Sequence, residues 1–268
     1  MSSPGEPTPL GASADPDALV ASRLERYVHL DRANLPYLAW QLDQFRPFLG
    51  RRVLEIGCGV GGVLSLLGPR ECIWGIDVDP EILAYARERF RDRPEYRFAV
   101  ADLGALDPAQ VAEFEAQRFD TILCINVLEH VRDDIGALHT LERLLVPGGT
   151  LALLVPAHLA LYGAYDRVDG HWRRYDKAYL RTILSHTSLH PLRMHYFNAV
   201  GALGWFVQYR WLRRTVHDQS HFGRMNRLLP IVRPLESWLK PPFGLSLVAV
   251  CRRETAEDAS ARVLGVAR

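Results

Sequence analysis

Three glycines and three carboxylates fall at spacings that suit a ligand built on a nucleoside. Gly57, Gly59 and Gly62 form a G-x-G-x-x-G run, in which glycines let the backbone approach a ligand closely and free amide N–H groups face it. Glu55 stands just before the first glycine, and Asp77, followed by Val78, lies about twenty residues beyond it, where a dinucleotide site keeps its ribose acid. Asp77 can accept bonds from both ribose hydroxyls. Asp102 can pair an adenine amino group while Leu103 packs against the ring. The glycine run alone fits a pyrophosphate equally well, so an NAD(P)-binding oxidoreductase is the competing class. Glu55 separates the two, since a carboxylate there suits an ammonium and repels a pyrophosphate.

A second group of residues has the makings of an acceptor site. Glu129 and His130 follow a strand-like run, and either both face the ligand or they cap the next helix. The stretch 156–175 holds Asp166, Asp169, His171, Arg173, Arg174 and Tyr175. His130 and His171 are the candidate general bases. Arg173 and Arg174 can hold an anionic acceptor or pair with Asp166. Tyr162 and Tyr175 can wall a cation through their ring faces or simply pack, and Trp205 can line an apolar pocket.

These residues need a scaffold that gathers strand ends. Apolar runs read as strands over Arg52–Ile56, Cys72–Ile76, Tyr96–Val100, Phe119–Ile125 and Thr150–Val155, with two more over His190–Phe197 and Leu245–Cys251. Helical stretches alternate with them: one from the glycine turn through Leu67, one opened by Asp79-Pro80-Glu81, and one over Asp133–Leu145. That rhythm predicts a mostly parallel α/β sheet with helices on both faces. N-terminal helices are expected over 17–50, the core over 51–199 and 241–254, and an inserted helical cap over 200–240, before the last strand. Residues 1–16 read as a disordered tail and 255–268 as a C-terminal tail.

Taken together, Val53-Leu54-Glu55-Ile56-Gly57-Cys58-Gly59, Gly75-Ile76-Asp77-Val78-Asp79-Pro80, Asn126-Val127-Leu128-Glu129-His130 and Leu145-Val146-Pro147-Gly148-Gly149-Thr150 resemble the motif series of class I S-adenosylmethionine-dependent methyltransferases. The runs Gly170-His171-Trp172-Arg173-Arg174-Tyr175 and Pro241-Pro242-Phe243-Gly244 resemble a bacterial type 11/12-like subgroup. The resemblance implies a Rossmann-like seven-stranded sheet. It implies S-adenosylmethionine as donor and S-adenosylhomocysteine as product, held by Glu55, Gly57, Gly59, Asp77, Val78, Asp102, Leu103 and Asn126. The acceptor would be a small molecule methylated on oxygen or nitrogen in bacterial secondary metabolism, or alternatively a sugar or lipid-linked intermediate at a membrane surface. Some relatives bind a metal through Glu-x-x-Glu-His; here Asn126 takes the first place, and no metal is expected.

Bulk composition narrows the partners. A net charge of +1 and the absence of an Asn/Asp-Pro-Pro-Tyr run argue against a nucleic-acid substrate. The four cysteines have no metal-like spacing and read as buried reduced thiols, which fits the cytoplasm. The first residues lack the basic and apolar regions of a secretory signal. The aromatic, arginine-rich stretch 200–214 has three readings: a lid over the acceptor, a surface helix on a membrane, or a homodimer contact.

Overall fold

Short, branched, apolar runs can bury both faces only in the middle of a layered fold. Here they build β1 (Arg52–Ile56), β2 (Cys72–Asp77), β3 (Tyr96–Val100), β4 (Phe119–Ile125), β5 (Leu145–Pro156), β6 (Leu189–Phe197) and β7 (Ser246–Arg253). The computed structural model describes residues 16–212, 220–239 and 241–263. The seven strands form one sheet in the order β3-β2-β1-β4-β5-β7-β6. Strands β1 to β5 pair in parallel, and β7 runs antiparallel between β5 and β6. This is the Rossmann-like sheet that the motifs imply.

Register places the ligand edge. Ile56 pairs with Ile76 on one side and Cys124 on the other, so the carboxyl ends of β1, β2 and β4 are level. The chain order reverses between β1 and β4, and ligands of open α/β sheets bind in the crevice at that switch point. Strand β5 starts earlier than the sequence indicates. Leu145 already pairs with Phe119, and the Pro147-Gly148-Gly149 stretch, which reads as a turn, is taken up where the pairing shifts before Thr150.

Helices cover both faces. On one side α3 (Pro108–Ala116), α4 (Asp134–Leu144) and α6 (Lys177–Leu184) bury Phe114, Leu138, Leu141 and Ile183. On the other, α1 (Pro16–Asp43), α2 (Pro80–Arg89) and α8 (Ser220–Leu239) bury Trp40, Leu83, Leu229 and Val232. As the sequence indicates, Asp79 caps α2, its carboxylate accepting the N–H groups of Glu81 and Ile82 with Pro80 in the first turn. The N-terminal region is one long helix followed by a 3-10 turn at Arg46–Phe48 rather than several helices. A short α5 (Ala164–Val168) interrupts the connection after β5.

Two expectations need correction. No α-helix follows the glycine turn; the chain makes successive turns and a 3-10 turn at Leu64–Leu66. Gly57 and Gly61 hold φ of +68° and +82°, left-handed conformations that a right-handed helix excludes. The amides facing a ligand therefore belong to a turn, not to a helix N-terminus. The segment read as a C-terminal tail folds in part as α9 (Ala256–Val263). Thr255 Oγ1 accepts the Asp258 N–H and Asp258 accepts the Thr255 N–H, a reciprocal cap that starts the helix. The tail expected over 1–16, apart from Pro16, and the stretch 264–268 lie outside the described residues.

The inserted cap comprises α7 (Ala199–Trp205), a π-helical stretch at Phe206–Trp211 and α8. Its hinge to the core is Asn198, which sits at φ +63° and accepts the Gly201 N–H at 2.8 Å to open α7. Glu236 of α8 accepts the backbone N–H groups of Asn198 and Ala199, and Asn198 donates to the Tyr37 hydroxyl of α1 at 3.0 Å. Thus α1, the cap and the end of β6 are fastened at one point.

Candidate active site

The half of the site at the glycine turn, expected to hold the donor, is built from backbone and acid. Glu55 is the fourth residue of β1, buried among sheet side chains, and its Oε2 has no hydrogen-bond partner. Asp77 closes the glycine turn: Oδ2 accepts the Gly59 N–H at 2.9 Å and Oδ1 accepts the Asp79 N–H at 3.1 Å. A Cβ on Gly57 would stand 2.5 Å from Val127 Cγ2, so the turn is pressed against the segment after β4. From above, Asp31 of α1 crowds Gly62 and pairs with Arg89 at 3.0 Å. Burial, followed by the charges of Asp31 and Asp77, pushes Glu55 well above the usual carboxylate range. Burial also raises Asp31, against the pull of Arg89. Three carboxyls converging on one turn make a seat for a cation, and a phosphate there would meet repulsion.

The remaining donor-side residues are distributed as follows. Val78 is exposed at the end of β2. Asp102 is exposed, with Oδ1 accepting the Gly104 N–H at 2.8 Å, while Leu103 is buried in the core beside it. Asn126 sits at φ +53° directly after β4, exposed and bordering the adjoining cavity. Asp31 carries no local sequence signal, because it reaches the turn from a helix far upstream.

Beside it, where the sequence places the acceptor, lies a cavity of about 590 Å³ between the end of β4, the loop after β5, α1 and the cap. Its ionisable wall includes Glu129, His130, Asp169, His171 and Arg174, and Trp205 closes it from the cap. Glu129 is 1% exposed, yet neither carboxylate oxygen has a hydrogen-bond partner. Burial raises it to about 7, against the favourable charges of His171 and Arg174. The sequence left this residue as a companion of His130; only its burial marks it out. His130 is exposed and meets the His171 ring edge-on at 4.6 Å. Partial desolvation and the charge of His171 hold His130 below the usual imidazole value, so it is neutral and able to accept a proton.

His171 does not fit the role of free base. Its Nδ1 lies 3.0 Å from Asp166 Oδ1 and its Nε2 lies 3.0 Å from Asp169 Oδ2. Burial opposes a charge there, but the bonds to both carboxylates and the field of Glu129 outweigh it and raise His171 to about 9. It is an imidazolium joining two acids. Among the described residues, Glu129, His130 and His171 bring ligand-type atoms within 4.8 Å of one another. An ion at that place would have to compete with Asp166 or Asp169 for His171.

Four further expectations move from acceptor binding to scaffolding. Asp166 is fully buried; it accepts the Gly163 N–H at 2.7 Å and pairs with Arg174 at 2.8 Å as well as with His171. Arg173 turns away, to Asp134 at 2.6 Å and the Arg132 carbonyl. Tyr175 is fully buried, its hydroxyl donating to the Leu128 carbonyl at 3.3 Å. Tyr162 donates to the His171 carbonyl at 2.8 Å and so holds the loop in shape. Arg174 and Trp205 do face the cavity, with the guanidinium 4.8 Å from the indole centroid. Trp205 Nε1 donates to the Leu161 carbonyl at 3.2 Å, which ties the cap to the polar loop.

The chain is similar to known proteins. A family model described as a methyltransferase domain matches residues 54–151. An uncharacterized methyltransferase of Mycobacterium tuberculosis is 32% identical over 176 residues, covering 61% of this chain and 84% of that protein. The ubiquinone biosynthesis O-methyltransferase of Paracidovorax citrulli is 34% identical over 124 residues, 45% of this chain; the chain spans about half that relative, 49% of its length. The crystal structure of an S-adenosylmethionine dependent methyltransferase from Mesorhizobium loti superposes with a TM-score of 0.56 at 16% identity, over 80% of this chain and 98% of that one, and shares the fold. With its glycine turn and acids at the switch point of the sheet, and with a relative matched over most of its length, the chain belongs to the class I S-adenosylmethionine-dependent methyltransferase family.

Proposed function

We propose that this chain transfers the methyl group of S-adenosylmethionine to an oxygen of a largely apolar small molecule held in the cavity under the cap. The observation that carries the donor half is the convergence of Glu55, Asp31 and Asp77 on the glycine turn, with Glu55 Oε2 unpartnered. The residues fit the donor. Glu55 would hold the ammonium of its amino-acid portion, Asp77 the ribose, and Asp102, Val78 and Leu103 the adenine, with Asn126 on the border between donor and cavity. The same acids count against a nicotinamide dinucleotide, whose pyrophosphate would lie on this turn.

When bound, the sulfonium supplies an electrophilic methyl group, and transfer is an in-line displacement in which positioning provides much of the acceleration. Glu129 and His130, at the carboxyl end of β4, are the groups available to take a proton from an acceptor hydroxyl. Arg174, neutralised by Asp166, belongs to the same ionisable wall, and Trp205 closes the cavity from the cap. Oxygen is favoured over nitrogen by this pair of proton acceptors and by the ubiquinone biosynthesis O-methyltransferases among the relatives. Secondary metabolism is the setting we favour, with a small molecule and not a nucleic acid as partner. Incubation with methyl-labelled S-adenosylmethionine and a panel of phenols, hydroxylated quinones and amines tests the acceptor half: label on the oxygen acceptors is expected, and transfer to amines alone would overturn it.

A further inference from the structure

The cap keeps a second apolar face that the fold does not use. Along α8, Leu229 and Val232 turn inward, whereas Leu228, Ile231, Leu235, Trp238 and Leu239 form a stripe on an adjacent side of the helix and are exposed. Along α7 and the π-helical stretch, Leu203, Phe206, Val207 and Trp211 recur at three- and four-residue spacing and are exposed too. Trp238 is 79% and Trp211 73% accessible. Of the twenty large apolar side chains exposed among the described residues, eleven fall between 200 and 239. Scattered apolar residues on a surface need no explanation, but such a concentration marks a place of contact.

Charge identifies the occupant. Residues 200–240 carry seven arginines and lysines against two carboxylates, while the rest of the chain carries 25 basic against 29 acidic residues. The apparent neutrality of the whole chain hides a cationic cap on an anionic body. Aromatic and aliphatic side chains interspersed with basic ones suit the boundary of an anionic bilayer, where apolar burial and attraction to headgroups add. A second copy of the chain suits this face poorly, because a twofold contact would set two cationic caps against each other. Among the described residues no helix is long and apolar enough to cross a membrane, so the contact would be lateral. The face is also continuous with the acceptor cavity: Val200 and Leu228 are exposed and line it at once.

We propose that the cap seats this protein on an anionic lipid surface, with the mouth of the cavity at the lipid boundary. If the methyl-transfer reading holds, acceptors with a membrane-dissolved apolar tail can then enter without crossing water. The docking itself is independent of that reading, and binding of S-adenosylhomocysteine reports on the donor site separately.

The test is co-sedimentation of the full-length protein with vesicles of phosphatidylcholine alone and of phosphatidylcholine with phosphatidylglycerol, at low and high salt. Partition onto the phosphatidylglycerol vesicles is expected, weakened by salt. In the Trp211→Ser, Trp238→Ser double variant it should fall by at least about tenfold, since exposed tryptophans anchor proteins at bilayer interfaces. Both positions are exposed, so thermal unfolding and S-adenosylhomocysteine affinity should match the parent. No partition of the parent, equal partition onto both vesicles irrespective of salt, or a stable dimer in solution that the double variant abolishes would each overturn the proposal.

Discussion

The two halves of the site are made of different materials. The proposed donor side, between β1, β2 and the loop after β3, is a turn with left-handed glycines and carboxylates held close together. The acceptor side is a knot of paired side chains, Asp166 with Arg174 and His171, closed by a cap. The first relies on particular residue types at fixed spacing; the second depends on which side chains of the loop after β5 meet one another. Mutation should therefore separate them: changes on the donor side cost ligand, and changes on the acceptor side alter stability.

The largest effect is expected at the centre of the knot. Asp166→Ala leaves the buried Arg174 guanidinium without its partner and frees His171 and the Gly163 N–H. Loss of about 3–5 kcal/mol in chemical denaturation is expected. A change below 1 kcal/mol would mean that the ion pair is not what holds the wall. Next comes Asp77→Ala, which releases the Gly59 N–H and removes the group proposed to hold the ribose. S-adenosylhomocysteine affinity should drop roughly 10- to 100-fold, equivalent to about 1.5–3 kcal/mol, with a far smaller change in stability. Unaltered affinity in calorimetry would remove the donor assignment.

Glu129→Gln sharpens the contrast through pH. The carboxyl is raised from 4.5 to about 7 in the folded protein, so the folded state binds its proton more tightly than the unfolded chain does. Its contribution is fully present below pH 4.5 and is lost as pH rises through 7. The glutamine variant should match the parent at pH 4.5 and exceed its stability by about 1–3 kcal/mol at pH 8, where the parent holds a buried charge. His171, raised to about 9, adds a slope of the same sign between pH 6.5 and 9 in both proteins. Donor affinity should not change. Equal denaturation midpoints at pH 8 would show that Glu129 is solvated or already paired. The smallest effect is expected for Trp205→Ala, which loses the stacked Arg174, the edge of Tyr165 and the bond to Leu161. About 1–2 kcal/mol is expected from these contacts, read as a lower unfolding midpoint; no loss would mean that Trp205 does not help to hold the cap to the core.

The same division explains what could be read from the chain. Strands β1, β3 and β4 have the ends that apolar periodicity indicates, because β1 and β4 are buried apolar runs and all three are bounded by turn residues. Asp79-Pro80 announces α2 through local chemistry alone. The glycine turn misleads about the helix after it, since a G-x-G-x-x-G spacing does not reveal that Gly61 is left-handed. Asp31 and Glu129 were harder still. One reaches the turn from α1, and the other differs from a surface glutamate only in being buried without a partner. Likewise His171 and Asp166 are only five residues apart, but nothing in that proximity tells that Asp169 takes the second ring nitrogen and removes the free base.

The central claim is that the glycine turn is a seat for a cationic adenosyl ligand and not for a pyrophosphate. Calorimetric titration of the full-length protein with S-adenosylhomocysteine and, separately, with NADH tests it most directly. Saturable binding of S-adenosylhomocysteine, with no heat from NADH at the same concentrations, is the predicted result. Binding of NADH with none of S-adenosylhomocysteine would contradict it.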